Sequence, residues 1–293
     1  MKFIDCFMYY DEDMILDIRL NILDKFVSYF VICEANYLHN GSKKEFKFDI
    51  NKFPKFKDKI IYIPLEQQPK NLRIINNSDN LLLKNSKILD NALLRENFQR
   101  DFLHSKIKNF DDNDFIIISD VDEIPNLEKF KYKSKITFFE QKMFYYKFNL
   151  YYKDYTWLGT KATKKKNFYS PQWLRNIKGK KYSRWRLDTL FSKKKYSNLY
   201  FIKNGGWHFT CLRTPEELEK KLLNFAHHYE FEESGLKIED LKKLISEKRV
   251  MYDHNVDQRG YKWSGKSILK KVKHIELPSY VTNNLNLYKE WLD

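Results

Sequence analysis

Residues 115–125 read Phe-Ile-Ile-Ile-Ser-Asp-Val-Asp-Glu-Ile-Pro, and no other stretch limits the fold as strongly. Four consecutive apolar residues, Phe115 to Ile118, match a strand buried on both faces. The run stops at Ser119, and Pro125 forbids its continuation as a central strand. Asp120, Asp122 and Glu123 therefore crowd the carboxyl end of a central strand, where open α/β sheets bind ligands. Like charges so placed repel unless a cation compensates them. Hard ions such as Mg²⁺ or Mn²⁺ are held by one or two carboxylates together with substrate phosphates. The segment thus predicts an Asp-x-Asp metal–diphosphate site. A bare Asp-x-Asp also suits a polar turn, and the strand-end position favours the ligand site.

Elsewhere the pattern gives strands over 2–8, 29–33 and 60–65. Ile15, Ile18, Ile22 and Phe26 predict a helix over 12–26, with Asp11 or Asp13 as N-cap. The polar, Asn-containing stretch 67–87 reads as a long loop or short irregular helix, and 90–108 as a helix. This order predicts an α/β sandwich with a mostly parallel central sheet. In the second half, 135–152 suggests Phe- and Tyr-rich strands and 153–200 basic, aromatic loops. A further strand covers 199–210. Thr214-Pro215-Glu216-Glu217 starts a helix, and another spans 238–249. Neither repeats nor linkers interrupt the chain, which predicts one domain.

Hydrophobic residues make up 42% and aromatics 17% of the 293 residues, enough for a sizeable core and against disorder. No apolar run reaches membrane-spanning length. Asp5 falls where a signal peptide would continue its apolar core, so a cytosolic location is expected. Cys6 and Cys33 lie in apolar runs and are expected as buried thiols. The net charge of +15, concentrated in 164–166, 178–181, 193–195 and 270–271, suits a polyanionic partner. An AT-rich coding sequence would account for the lysines equally well.

Five segments occur in order: Phe3-Ile4-Asp5-Cys6-Phe7, Glu34-Ala35-Asn36-Tyr37, Arg95-Glu96-Asn97-Phe98-Gln99-Arg100, Ile118 to Pro125, and Gly205-Gly206-Trp207-His208-Phe209. Together they resemble glycosyltransferase family 17 from residue 2 to about 230. The resemblance implies a GT-A-type α/β fold. It also implies a metal-dependent, inverting transfer from a UDP-sugar, most simply UDP-N-acetylglucosamine, with Mn²⁺ or Mg²⁺. Residues 1–125 would then form the donor-binding half, and 126–293 the acceptor-binding half with C-terminal helices. No signal anchor like that of the animal members is expected, so the expected acceptor is a bacterial-type surface glycan or lipid-linked glycan. A peripheral contact with anionic membrane at the inner face is expected, and no specific nucleic acid.

The resemblance also suggests roles. Asp122 would bind the metal directly, and Asp120 through water or at the ribose, with His208 as third ligand. Arg95 and Arg100 lie five apart, roughly 140° around a helix, so at most one faces the diphosphate; Arg100 is favoured. Asp5 and Phe7 would edge the nucleotide pocket, Glu34 would accept from uridine or ribose, and Gly205 and Gly206 would admit the donor. Asp188 or Glu230 would be the general base, with His227 lining the site. Tyr151, Tyr152, Trp157 and Trp185 would stack on acceptor sugars. Each of these also has an ordinary structural role open to it. A metal-dependent nucleotidyltransferase or phosphohydrolase is the enzymatic rival, but the chain has eight glycines and no phosphate-loop motif. A polyanion-binding protein gives no reason for clustered acids.

Overall fold

Alternate residues of a strand face opposite ways. Along Phe3–Met8 (β1), Ile4 and Cys6 join one apolar cluster and Phe7 the other. The computed structural model describes residues 1–183, 185–224, 228–256, 261–263 and 265–293. Asp13–Leu23 (α1) covers the Phe7 face through Ile15, Leu16 and Leu20. Glu12, not Asp11 or Asp13, precedes the helix, and no side chain caps it. Asp13 instead accepts from the Tyr9 hydroxyl at 2.6 Å.

Val27–Ala35 (β2) and Ile60–Leu65 (β3) follow in parallel. Pro64 is tolerated because β3 is an edge strand. Leu81–Phe102 (α2), capped by Asn80, and His104–Ile107 (α3) pack on the Ile4 face. The helix thus begins inside the stretch whose composition suggested a loop. Phe115–Ile118 (β4), wholly buried, lies parallel to β1.

Glu123–Pro125 (β5), Ile136–Tyr145 (β6), Leu150–Trp157 (β7) and Lys161–Lys164 (β8) come next. Then follow Pro171–Asn176 (α4), Asp188–Phe191 (α5), Leu199–Thr210 (β9), Pro215–Leu222 (α6), His228–Ser234 (α7) and Ile238–Ser246 (α8). Lys270–Lys271 (β10) and Ser279–Asn283 (α9) complete the elements used below. Thr214 and Glu217 close the capping box that starts α6.

The sheet order is β10-β7-β6-β8-β4-β1-β2-β3, with β9 paired to β5 and β6. It is parallel from β4 to β3. Beyond β4 it is mixed, since the short β6–β7 connection enforces antiparallel pairing while β9 returns parallel to β6. Among the described residues, no helix is long and apolar enough to cross a membrane.

Lys161 on β8 is buried and donates to the carbonyls of Arg175 and, at 2.9 Å, Ile177 at the end of α4. Burial, helped by Arg175, pushes its ammonium down to about 7. Unfolded, it would keep its proton to about 10.4. Between these values the unfolded chain binds more protons, so this residue makes stability rise with pH. Urea unfolding across that window should show wild-type stability gaining on that of Lys161→Met as pH rises. Parallel pH profiles would mean that the buried amine keeps its proton.

Candidate functional site

A cleft of about 510 Å³ opens where β1, β2 and β4 end, lined there by Tyr9, Tyr10, Tyr37, His39, Asp120 and Asp122. Trp157, His208, Thr210, Lys221 and His254 form the facing wall.

The Asp-x-Asp loop is held from beneath by Arg19 of α1, which is fully buried. Its guanidinium grips Asp5 at 2.6 and 2.8 Å. It also donates to the carbonyls of Asp120 (3.0 Å), Val121 (3.2 Å) and Glu123 (2.7 Å) and to the Ser119 hydroxyl (2.5 Å). Five residues accept from one side chain, so the loop's backbone is fixed before any ligand arrives.

Two arginines relieve the crowding of carboxylates. Arg100 reaches Asp120 at 3.2 Å and Glu96 at 2.6 Å. Arg175 of α4 bridges Asp120 at 2.7 Å and both oxygens of Glu123 at 2.7 Å. Burial alone would raise the Asp120 carboxyl, but Arg175 and then Arg100 hold it well below the usual range. Glu123 also accepts from the Trp157 indole at 2.6 Å and is fully buried. It is therefore held inside the protein as the partner of Arg175.

Asp122 is turned the other way. The β5–β9 register sets Glu123 opposite His208, and the Phe209 N–H donates to the Asp122 carbonyl at 2.9 Å. His208 Nε2 consequently lies 3.5 Å from the Asp122 carboxylate. Burial would raise that carboxyl, and His208 together with Lys221 leaves it lowered. His208 packs on Trp157 at 4.6 Å, and its Nδ1 is buried with no partner. Among the described residues, no three His, Cys, Asp or Glu side chains converge as a ready metal cage. Asp122 and His208 offer a partial donor set, of the kind that a substrate's phosphates and water complete.

Several expectations are corrected. Asp5 lies inside β1, three residues before its end, because Arg19 neutralises it there. Phe7 is core, with the Arg19 guanidinium 4.5 Å from its ring. Glu34 is fully buried and already accepts from Lys44, Lys47 N–H (2.8 Å), Phe48 N–H (3.0 Å) and the Tyr62 hydroxyl (2.9 Å). Arg95 turns to Gln68 (2.8 Å) and the His39 carbonyl (3.2 Å), away from the Asp-x-Asp loop.

Gly206 has φ 139°, and a Cβ there would sit 2.2 Å from the Ile124 carbonyl. A Cβ on Gly205 would meet the Ile202 carbonyl at 2.6 Å, so both glycines serve strand packing rather than a ligand. Asp188 is exposed, paired with Arg186 and Lys195 at 2.9 Å, and does not line the cleft. Glu230, in α7, does not line it either. His227 lies outside the described residues. Tyr152 is buried and donates to Asp253 at 2.6 Å, Tyr151 packs on Phe144, and Trp185 is exposed away from the cleft. Of the four aromatics, Trp157 alone lines it.

Arg19, Arg175, Lys221 and His254 had no part in the sequence reading. His254 stacks on Tyr155 at 5.0 Å, and burial lowers its imidazole to about 4, so it is neutral at neutral pH.

Among models of protein families, that of glycosyltransferase family 17 matches residues 1–292. No curated protein matches the chain.

Proposed function

The chain belongs to glycosyltransferase family 17 and is a glycosyltransferase; from that premise we propose that its cleft takes a UDP-sugar and passes the sugar, N-acetylglucosamine, with inversion to a glycan or glycolipid acceptor. The product would enter surface-polysaccharide assembly on the cytoplasmic side of a membrane. The observation that carries this reading is the Asp122–His208 pair, 3.5 Å apart in the cleft beside the fixed Arg175. A parallel half-sheet with an Asp-x-Asp loop after β4 supports a GT-A-type fold.

The donor set fits Mn²⁺ or Mg²⁺, with Asp122 and His208 as ligands and Asp120 reached through water. When bound, the ion would offset charge on the departing diphosphate. The chain's own residues do the rest. Arg175, locked by Asp120 and Glu123 at the wall of the cleft, is a fixed guanidinium that needs no reorganisation during transfer, and Arg100 is buried behind it, outside the lining. Lys221, 3.6 Å from Glu12, adds a cation from α6. Tyr10 offers a ring for the nucleotide, and Trp157, which His254 meets edge-on at 72°, one for the acceptor sugar. The acceptor hydroxyl must lose its proton to a neighbouring group. Glu12 and His254 line the cleft and can serve, whereas Asp188 and Glu230 stand outside it.

UDP release from a panel of UDP-sugars, with Mn²⁺ or with chelator, tests the proposal. Metal-dependent release from one donor is expected. Release from none, or release indifferent to chelator, would overturn the metal–UDP-sugar reading.

A further inference from the structure

Between α4 and β9 the chain makes an excursion closed at its base, where the Lys178 N–H donates to the Lys194 carbonyl at 2.9 Å. At its outer part Trp185, Leu187 and Phe191 are 93%, 73% and 90% exposed. Three large apolar side chains within seven residues, left in water by a chain that leaves few of its described aromatics exposed, mark an interaction surface.

Its charge indicates the partner. Residues 178–195 contain eight Lys or Arg and one acid. That acid, Asp188, is paired with Arg186 and Lys195, so it presents no free negative charge outward. Lys178, Lys180, Lys181, Lys193 and Lys194 are exposed on either side of the apolar tip. Trp, Leu and Phe flanked by lysine clusters are the combination that settles at a bilayer interface. The apolar groups enter the headgroup–acyl boundary while the ammonium groups meet anionic headgroups. A nucleic acid would find use for the lysines and Trp185 but none for Leu187.

We propose that residues 178–195 are a docking surface for an anionic bilayer. The inference deepens the proposed function, since its purpose rests on a lipid-linked acceptor. Arg175, in the cleft, lies three residues before the surface begins, so a docked enzyme would hold its cleft next to the membrane carrying that acceptor.

Co-sedimentation with vesicles tests it, comparing phosphatidylcholine alone with an equimolar mixture of phosphatidylcholine and phosphatidylglycerol at low salt. Wild-type protein should favour the anionic vesicles by at least about tenfold. A Trp185→Ser/Phe191→Ser variant and a Lys193→Glu/Lys194→Glu variant should each lose about tenfold or more of that binding. Neither pair of positions lines the cleft, so UDP release in solution should be unchanged. Equal binding to both vesicle types, wild-type binding by both variants, or tighter capture by a random single-stranded oligonucleotide would overturn the proposal. Vesicle binding is read without donor or acceptor, so its failure is distinct from failure of the UDP-release test.

Discussion

Asp122→Asn should lower UDP release and sugar transfer by about 10²–10³-fold, the scale of removing one preorganised electrostatic group from a transition state. The substitution keeps the shape of the side chain and removes its charge. What holds Asp122 in place is backbone: its carbonyl accepts from Phe209 N–H, and the neighbouring Glu123 is paired across to His208. The thermal midpoint should therefore stay near that of the wild type while turnover falls. His208→Ala should produce a loss of similar kind. The double variant should lose little more than the worse single one, because groups that act as a unit are non-additive. Steady-state rates at saturating Mn²⁺ for the three variants check this. Near-wild-type turnover of Asp122→Asn would remove the pair from the mechanism.

Arg19→Met should cost about 3–5 kcal/mol of stability, the range for leaving a buried charge without its partner. Asp5 is fully buried, and Arg19 is its ion-pair partner. Three loop carbonyls and the Ser119 hydroxyl would lose their donor as well. Replacing both members, as in Asp5→Leu/Arg19→Met, should recover much of the stability, since apolar pairs often substitute for buried ion pairs. It should not recover activity, because the loop that carries Asp120 and Asp122 then lacks the donor to three of its carbonyls. Urea unfolding and UDP release on the same samples separate the two effects. A single variant less than about 1 kcal/mol below the wild type would refute the clamp.

How much of this was legible follows from the range over which each signal acts. Phe115 to Ile118 and the Thr214 capping box are local, and periodicity and cap chemistry give them directly. Asp5 misled because an acid in an apolar run looks like a strand end, whereas Arg19, fourteen residues on, lets it sit inside the strand. A signal for Arg19 was present. It lies four residues after Ile15 and so on the apolar stripe of its helix, where a charge implies a buried partner. Arg175 offered less: Ser170-Pro171 announces its helix, but its pairing with residues more than fifty positions earlier leaves no local trace. Asp188 and Glu230 were chosen for charge and order along the chain, and neither property fixes a direction in space.

One feature of the sheet bears on how such an enzyme could be altered. β8 lies between β4 and β6, bonded to the strand that ends in the Asp-x-Asp loop and to the strand that opens the second half. The two halves of the chain are thus woven into one plate, not two lobes joined by a hinge. Chimeras that exchange either half for a foreign one would cut through shared ladder bonds and expose a long strand edge. Changes of specificity are better sought in what overhangs the plate, such as the segment around His254 and the turn from β9 into α6, which can vary without unpicking it.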